Sequence, residues 1–161
     1  MPVHVVQSTQ IIPAPPDDCW SFFSDPRNQV RITPPSLGIE VLSDVPAKIH
    51  AGLLIRYRVR PLFGIPMTWL TEITHVEPGV RFIDQQLVGP YRVWHHEHRF
   101  QTLADGRTEM QDTVHYVLPF GWLGEIAHIP LVAPQLRRIF DFRRKSVDEI
   151  FPAKPANQGA G

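Results

Sequence analysis

Alternation of apolar and polar positions runs through most of the chain and predicts β-strands. Successive strand residues point to opposite faces of a sheet, so every second residue shares a face. This alternation, or an enrichment in Val, Ile, Thr and aromatic residues, predicts strands. They are expected at 3–12, 37–43, 53–60, 67–76, 80–88, 94–100 and 107–118.

A different period marks the C-terminal part of the chain. Apolar residues from Leu136 to Phe151 recur every three to four positions, which predicts a long amphipathic helix over about 134–151. Two short helices are predicted at 15–23 and 25–32, with prolines and acids in their first turns and Asp25 as a cap. The apolar but irregular stretch 119–130 is expected to be a connection without regular structure.

The order of these elements predicts an α+β domain. Strands segregated from helices are typical of that class. One amphipathic helix covers only part of a long antiparallel sheet, so we expect a curved sheet of about seven strands around the C-terminal helix, with a space between them. Residues 1–151 would form this single domain, and 152–161 has the composition of a disordered tail.

Two histidines stand where a strand would ordinarily carry apolar residues. Trp94, His96, His98 and Phe100 share one face of the sixth predicted strand. The two large aromatics at its ends predict that this face is buried. Imidazoles in an apolar setting need either satisfied hydrogen bonds or a function.

The hairpin after this strand has two possible registers. A two-residue Asp-Gly loop would set Phe100 opposite Gln111. A three-residue loop that ends with Gly106 in the left-handed conformation would set Phe100 opposite Met110. Because the second register matches apolar with apolar residues, it is the one we predict.

The predicted register pairs one histidine with an acid. His98 comes to lie opposite Asp112, whereas His96 lies opposite Val114 and is the less supported of the two histidines. Three interpretations of this group remain open. It orders the sheet interior, it binds the polar end of a ligand, or Asp112 orients His98 as a general acid or base.

Composition and charge exclude several classes of function. Lys and Arg together number 16, as do Asp and Glu, so the formal net charge is +0, which argues against nucleic acid as a partner. The single cysteine, Cys19, excludes an intramolecular disulfide. Neither a signal peptide nor a membrane-spanning segment is predicted, so we expect a cytoplasmic protein without stable membrane insertion.

Two motifs carry a resemblance to a known family. They are Phe82-x-Asp84-x-Gln86-x-x-Gly89-Pro90-Tyr91-x-x-Trp94-x-His96-x-His98-x-Phe100 and Met110-x-Asp112-x-Val114-x-Tyr116-x-Leu118-Pro119-Phe120-Gly121. With the order of elements, they resemble the START, pollen-allergen and polyketide-cyclase superfamily (SRPBCC), in particular its bacterial cyclase/dehydrase-like branch. The resemblance covers about residues 3–151. It implies a helix-grip cavity for lipids, hormones or polyketides and no shared catalytic set.

Residues that would face this cavity follow from the strand faces and the helix spacing. Arg143 is included because its spacing from Ile139 and Val147 points it inward. Asp84 and Gln86 extend the polar band if the Gly89-Pro90 turn keeps the face, and lie on the solvent face otherwise. The ligand-binding candidates are Tyr57, Trp69, Thr71, Asp84, Gln86, Trp94, His96, His98, Phe100, Met110, Asp112, Tyr116 and Arg143.

A metal site is the less favoured interpretation of the two histidines. Same-face histidines of a strand can share one ion, with Asp84 or Asp112 as a third ligand. Pairs of this kind without a wider ligand set are common, so we expect no resident metal and no cofactor.

The sequence therefore favours binding of a small hydrophobic or amphipathic molecule. The alternative is a cyclase or dehydratase that uses His98 and Asp112 as its catalytic pair. A second alternative is a ligand-responsive interaction module, with a weak homodimer or a protein partner. In that case Phe63, Trp122 and Leu123, on predicted loops, would form the cavity rim or the contact surface.

Overall fold

Seven strands form one antiparallel sheet in the computed structural model, which describes residues 2–61 and 64–153. The spatial order of the strands is β1-β7-β6-β5-β4-β3-β2. Their bounds are β1 His4–Ile12, β2 Glu40–Val41, β3 Leu53–Val59, β4 Met67–Glu77, β5 Arg81–Val88, β6 Val93–Thr102 and β7 Thr108–Val117.

Helices precede and follow this run of strands. Helix α1 spans Pro16–Phe23 and is followed by two 3-10 helices, Pro26–Ile32 and Pro35–Leu37. After the last strand come α2, Trp122–Ala127, a π-helical segment, His128–Val132, and the long helix α3, Ala133–Ile150. The predicted α+β, helix-grip architecture is confirmed.

The hairpin of β6 and β7 has the predicted register. Gly106 has a φ of +82°, in the left-handed region that favours glycine, and the Leu103 N–H donates to the Arg107 carbonyl at 2.8 Å. Phe100 accordingly lies opposite Met110, and His98 lies opposite Asp112. The apolar matching of the two strands thus identifies the register, because a one-residue slip would turn every buried side chain outward.

The concave face of the sheet packs against α3 and the N-terminal helices. From α3 the side chains of Leu136, Phe140 and Val147 are buried, as the period of three to four residues predicts. Arg143 lies on the same face and is buried with them. A charged side chain therefore faces the interior between helix and sheet.

The second strand is shorter than predicted. The pattern predicts a strand over 37–43, but β2 comprises Glu40 and Val41 alone. Pro35 begins a 3-10 helix that ends at Leu37, and Gly38 has a left-handed φ of +54°. An extended ladder cannot pass through that conformation, so pairing begins only after Gly38.

The stretch 119–130 was expected to be irregular, and this expectation is wrong. Helix α2 and the π-helical segment continue directly into α3. Pro130 lacks the N–H of an ordinary helical turn, and the Ala133 N–H donates to the His128 carbonyl, a π-helical span. The apolar side chains Trp122, Ile126 and Ile129 face outward, which disguises the amphipathic pattern.

The remaining sequence expectations concern single residues and the termini. Asp25 caps the first 3-10 helix, accepting a hydrogen bond from the Arg27 N–H at 3.0 Å. Cys19 on α1 is 0% exposed, and burial raises the pKa of its thiol. Phe63 and, from residue 154 onward, the predicted tail lie outside the described residues. Within residues 2–61 and 64–153, no helix is long and apolar enough to cross a membrane.

Candidate functional site

A cavity of about 140 Å³ lies between the concave face of the sheet and α3. One water needs roughly 10–15 Å³ on such a measure, so the cavity has room for a small organic group. Its wall is mostly apolar. The larger part comes from β3 and β4, from the first 3-10 helix and from the buried face of α3, through Ile32, Ile55, Tyr57, Trp69, Ile73, Leu136, Ile139 and Phe140.

Four titratable side chains interrupt this apolar wall at one place. Strand pairing sets Asp84 of β5 opposite His96 of β6, and His98 lies two positions further along β6 on the same face. Arg143 reaches the same place from α3. The fifth member, Asp112 of β7, contacts His96, His98 and Arg143 but is not part of the wall. We call these five residues the polar cluster.

Of the two ring nitrogens of His96, one is engaged by Asp112 and the other approaches Asp84 without a hydrogen bond. Its Nε2 lies 3.0 Å from Oδ1 of Asp112. A carboxylate only accepts hydrogen bonds, so Nε2 carries the proton and Nδ1 has the lone pair. Nδ1 lies 3.7 Å from Oδ2 of Asp84, too far for a hydrogen bond, and has no hydrogen-bond partner in the described part of the chain.

His98 has a carboxylate oxygen at each nitrogen. Nε2 lies 2.9 Å from Oδ2 of Asp84, and Nδ1 lies 2.8 Å from Oδ1 of Asp112. Burial by itself lowers the pKa of His98, but the hydrogen bonds to Asp112 and Asp84 outweigh it and raise the pKa. In His96, burial and the neighbouring His98 lower the pKa despite the contact with Asp112. The pKa of His98 is therefore raised and that of His96 is lowered, so His98 is the more basic of the two imidazoles.

The acids are held ionised by their neighbours. Burial disfavours the charged form of Asp112, yet Arg143 and both histidines keep its pKa well below the usual 3.8. For Asp84, burial raises the pKa, but the hydrogen bond from His98 together with the charges of His96, His98 and Arg143 outweighs burial, so the pKa is lowered. When His98 carries its second proton, two carboxylates, one guanidinium and one imidazolium sum to zero, and a neutral cluster costs less to desolvate than an unbalanced one.

Eight of the thirteen predicted ligand-binding residues lie on the cavity wall. They are Tyr57, Trp69, Thr71, Asp84, Trp94, His96, His98 and Arg143. His96, which the sequence analysis supports less because it lies opposite Val114, nevertheless reaches Asp112, with Nε2 3.0 Å from Oδ1. The predicted pair His98–Asp112 is also present, at 2.8 Å.

The other five predicted residues do not line the cavity. Gln86 donates to the backbone carbonyl of Tyr91, and Asp112 is covered by the histidines. Phe100 and Met110 belong to the core packed around α1, and the hydroxyl of Tyr116 lies 2.8 Å from Nε2 of His128. Strand alternation predicts which face is buried, but not which part of that face is covered by a helix.

Several wall residues escaped the sequence analysis. Tyr91 follows the Gly89-Pro90 turn, and its ring lies against Trp69 and Trp94 with centroids 5.9 and 4.7 Å away. The sequence signal that could have identified Tyr91 is its place as an aromatic residue directly after the Gly89-Pro90 turn. Leu136 and Phe140 were recognised as the buried face of the helix but not as ligand contacts.

The fold and this partly polar cavity define a helix-grip protein with a cavity between sheet and C-terminal helix. The family model described as "Polyketide cyclase / dehydrase and lipid transport" matches residues 12–138. The chain belongs to that family. Its description covers cyclisation or dehydration and lipid transport, so ligand binding or polyketide cyclase activity is the function the family indicates.

Solved structures with the same fold have low sequence identity to this chain. A protein from Chromobacterium violaceum is 11% identical, with a TM-score of 0.71 over 94% of this chain and 99% of that one. An aromatase/cyclase from Streptomyces sp. R1128 is 19% identical, with a TM-score of 0.71 over 96% and 100%. The major latex-like protein 151 from Panax ginseng is 9% identical, with a TM-score of 0.65 over 93% and 98%. At such identities the likeness shows the fold. A search of curated proteins gives no match.

Proposed function

We propose that the protein binds a small amphipathic molecule in the cavity, with an apolar or aromatic body and one polar end. The observation that carries this proposal is the distribution of charge on the wall. Asp84, His96, His98 and Arg143 meet at one place, and the surrounding wall is apolar. Pockets of this composition bind the body of a ligand by burial and fix its orientation with a few polar groups.

The aromatic side chains suit a flat apolar body. Trp69 and Trp94 meet edge to face, with ring centroids 5.3 Å apart, and Tyr91 lies beside both. Such rings present large rigid surfaces, and buried apolar area stabilises a complex by about 25 cal/mol per Å² before the costs of association. The unpartnered Nδ1 of His96 is the natural acceptor for a hydroxyl of the ligand.

A second depression supports a route from solvent to this cavity. It includes Arg60 and Arg138 and shares Leu37, Pro61, Gln135 and Ile139 with the cavity wall. The shared residues thus belong to the first turns of α3, to the second 3-10 helix and to the segment that follows β3. A ligand that passes there would meet two guanidinium groups first.

The test is to fill that passage with a large side chain. Ile139→Trp places an indole at the shared boundary, and Ile126→Trp is the matched control because it makes the same change on the exposed side of α2. The probe is anilinonaphthalene sulfonate, an aromatic amphipathic anion, titrated by fluorescence. Ile139→Trp should weaken binding at least about tenfold, which is 1.4 kcal/mol, and Ile126→Trp should not. Equal binding by wild type and both variants would contradict the proposal.

Ligands acquired in the cell provide a second measurement. Native mass spectrometry of protein purified from its own host should show a bound small molecule that is lost in Ile139→Trp and kept in Ile126→Trp. A mass that stays bound in both variants would place the ligand elsewhere on the protein.

A cyclase or dehydratase is the second candidate, and one contact favours it. Asp112 orients His96 and leaves Nδ1 free, which is the arrangement of a general base. His98, the base suggested by the sequence, has both nitrogens against carboxylates. His96 would take a proton from the carbon between two carbonyls, and the carbanion would attack a third carbonyl, whose oxygen would take that proton back from His96. His96 would then remove the second proton of the same carbon and return it to the departing hydroxyl, so that one water leaves.

The substrate for that test is a poly-β-ketone. His96→Gln should abolish formation of the cyclised, dehydrated product while anilinonaphthalene sulfonate still binds. Turnover that persists in His96→Gln would remove the catalytic assignment without affecting the binding proposal.

A further inference from the structure

The geometry points to a divalent metal site on the cavity wall, formed by Asp84 Oδ2, His96 Nδ1 and His98 Nε2. These residues offer ligand atoms that lie within 4.8 Å of one another. Two imidazole nitrogens and one carboxylate oxygen suit Zn²⁺ and other divalent first-row transition metals. When the ion is bound, Nδ1 of His96 is no longer free to accept a hydrogen bond or a proton, and the polar end of an organic ligand would bind the ion instead.

The separations of these atoms match a shared ion. Asp84 Oδ2 lies 2.9 Å from His98 Nε2 and 3.7 Å from His96 Nδ1. With Zn–N and Zn–O bonds of roughly 2.0–2.2 Å, two ligands of a tetrahedral ion stand about 3.3 Å apart. The two observed distances bracket that value, and the third separation, between the two imidazole nitrogens, lies within 4.8 Å, so the three groups stand close enough for adjustments of their side chains to bring them onto one ion.

The position of Asp112 is the second observation in favour of a metal site. One of its carboxylate oxygens contacts both imidazole rings, each at the nitrogen farther from Asp84. Its Oδ1 lies 3.0 Å from Nε2 of His96 and 2.8 Å from Nδ1 of His98. The nitrogens not held by Asp112 are the two that approach Asp84. Metal-bound imidazoles typically donate their other N–H to a carboxylate, which fixes the ring and the tautomer. A hydrogen bond that merely pinned the sheet would need one ring, not two.

The surrounding charges also accommodate a cation. The Arg143 guanidinium lies 3.2 Å from Asp112 Oδ1 and 3.2 Å from Nδ1 of His98, the nitrogen of that ring that does not approach Asp84. Among the described contacts it makes no ion pair with Asp84, the proposed ligand. With both imidazoles neutral, Asp84, Asp112 and Arg143 sum to −1, and a divalent ion brings the cluster to +1. That sum favours an anionic oxygen as the fourth ligand.

The open coordination position would face the cavity. Asp84, His96 and His98 all line the wall, whereas Asp112 does not. Three protein ligands with one free position are typical of sites at which a metal binds water or an organic oxygen. Without a metal, the proton on His98 takes the place of the ion between that ring and Asp84. A cluster arranged for a metal should bind a divalent ion tightly, whereas a cluster closed by the proton on His98 should not.

The experiment measures binding of zinc to tag-free protein that has been stripped with a chelator and dialysed. Isothermal titration with Zn²⁺ should show one site per chain with a dissociation constant below about 1 µM. Asp84→Asn and His96→Gln should each raise that constant at least 100-fold. Asp112→Asn should raise it 10–100-fold and keep the stoichiometry, as for a supporting carboxylate.

Surface histidines provide matched controls. His95→Gln changes the neighbouring residue on the opposite face of β6, and His4→Gln removes a histidine that pairs with Glu125 at 2.8 Å. Both variants should bind zinc as the wild type does. Loss of the tight site in His95→Gln or His4→Gln, or its survival in Asp84→Asn and His96→Gln, would overturn the assignment.

Cobalt gives a readout that does not depend on the variants folding. Co²⁺ bound to the wild type should show the intense visible absorption of four- or five-coordination by nitrogen and oxygen, displaced by an equivalent of Zn²⁺. Two results would contradict the metal site: a Co²⁺ spectrum with no more than the weak absorption of the octahedral hydrated ion, or zinc binding in the millimolar range. Either would mean that the cluster is a hydrogen-bonded unit in which a proton lies between His98 and Asp84.

Discussion

Histidines on the two faces of β6 meet acids and arginines in very different settings. On the inner face, His96 and His98 have side chains 9% and 5% exposed and contact two aspartates. On the outer face, His95 is half-buried beside Gln85, and Glu97 pairs with Arg99 at 2.9 Å. Histidine, acid and arginine are present on both sides. The face of the sheet, rather than the residue type, decides which group forms a site.

The difference has an electrostatic origin. Exposed ion pairs are screened by water and contribute about 0–1 kcal/mol. A buried pair interacts more strongly, but each member has lost its hydration, so removal of one partner leaves the other without compensation. Substitutions of the same chemistry on the two faces should therefore differ in cost.

The largest difference is expected between two arginines. Arg143→Met would leave Asp112 buried beside its remaining partners without the guanidinium, and should lower the free energy of unfolding by about 3–5 kcal/mol. Arg99→Met, on the outer face, should change it by about 0.5 kcal/mol or less. Urea denaturation followed by circular dichroism measures both. Similar costs for the two variants would show that the inner cluster is not a buried charge network.

Zinc should stabilise the protein only through the inner face. At a free concentration of 100 times the dissociation constant, a ligand of the folded state adds about 2.7 kcal/mol. Wild type and His95→Gln should both show this gain in thermal denaturation, and His96→Gln should not. A gain that survives in His96→Gln would move the ion to another part of the protein.

Asp112→Asn should cost about 1–3 kcal/mol near neutral pH in the chelated protein. Because its neighbours hold the pKa of Asp112 well below 3.8, its contribution is present above that pH and lost as the pH falls through the folded-state value. The gap between wild type and variant should therefore narrow as the pH is lowered from about 5 to 2. A gap that widens on acidification would mean that the folded protein holds Asp112 protonated.

The smallest effect is expected for the outer carboxylate. Glu97→Gln makes the same carboxylate-to-amide change as Asp112→Asn, but Glu97 is 26% exposed and pairs with exposed arginines. It should cost about 0–1 kcal/mol, and added salt should reduce that cost further. Equal costs for Glu97→Gln and Asp112→Asn would remove the distinction between the two faces.

The architecture and one wall of the site follow from local patterns. The period of two predicts the strands, and matching Phe100 with Met110 identifies the hairpin register. The period of three to four residues in the last helix is enough to turn Arg143 inward. These inferences succeed because each depends on neighbours in sequence or on one adjacent strand.

The contacts that escaped prediction depend on side-chain reach. His96 lies directly opposite Val114, yet its ring bonds to Asp112, the diagonal neighbour. Diagonal partners on paired strands lie within reach of long or aromatic side chains, and rotamers rather than register decide between them. Helix α2 escaped for another reason, since its apolar residues face solvent and the usual sign of helix burial is missing.

The single cysteine is a natural probe of local unfolding. Cys19 is fully enclosed between α1 and the sheet, so a thiol reagent reaches it only when α1 detaches. The labelling rate under native conditions therefore measures how often that part of the molecule opens. Substitutions in the cavity can be followed with the same natural probe, which shows whether a change at the polar cluster loosens the far end of the core.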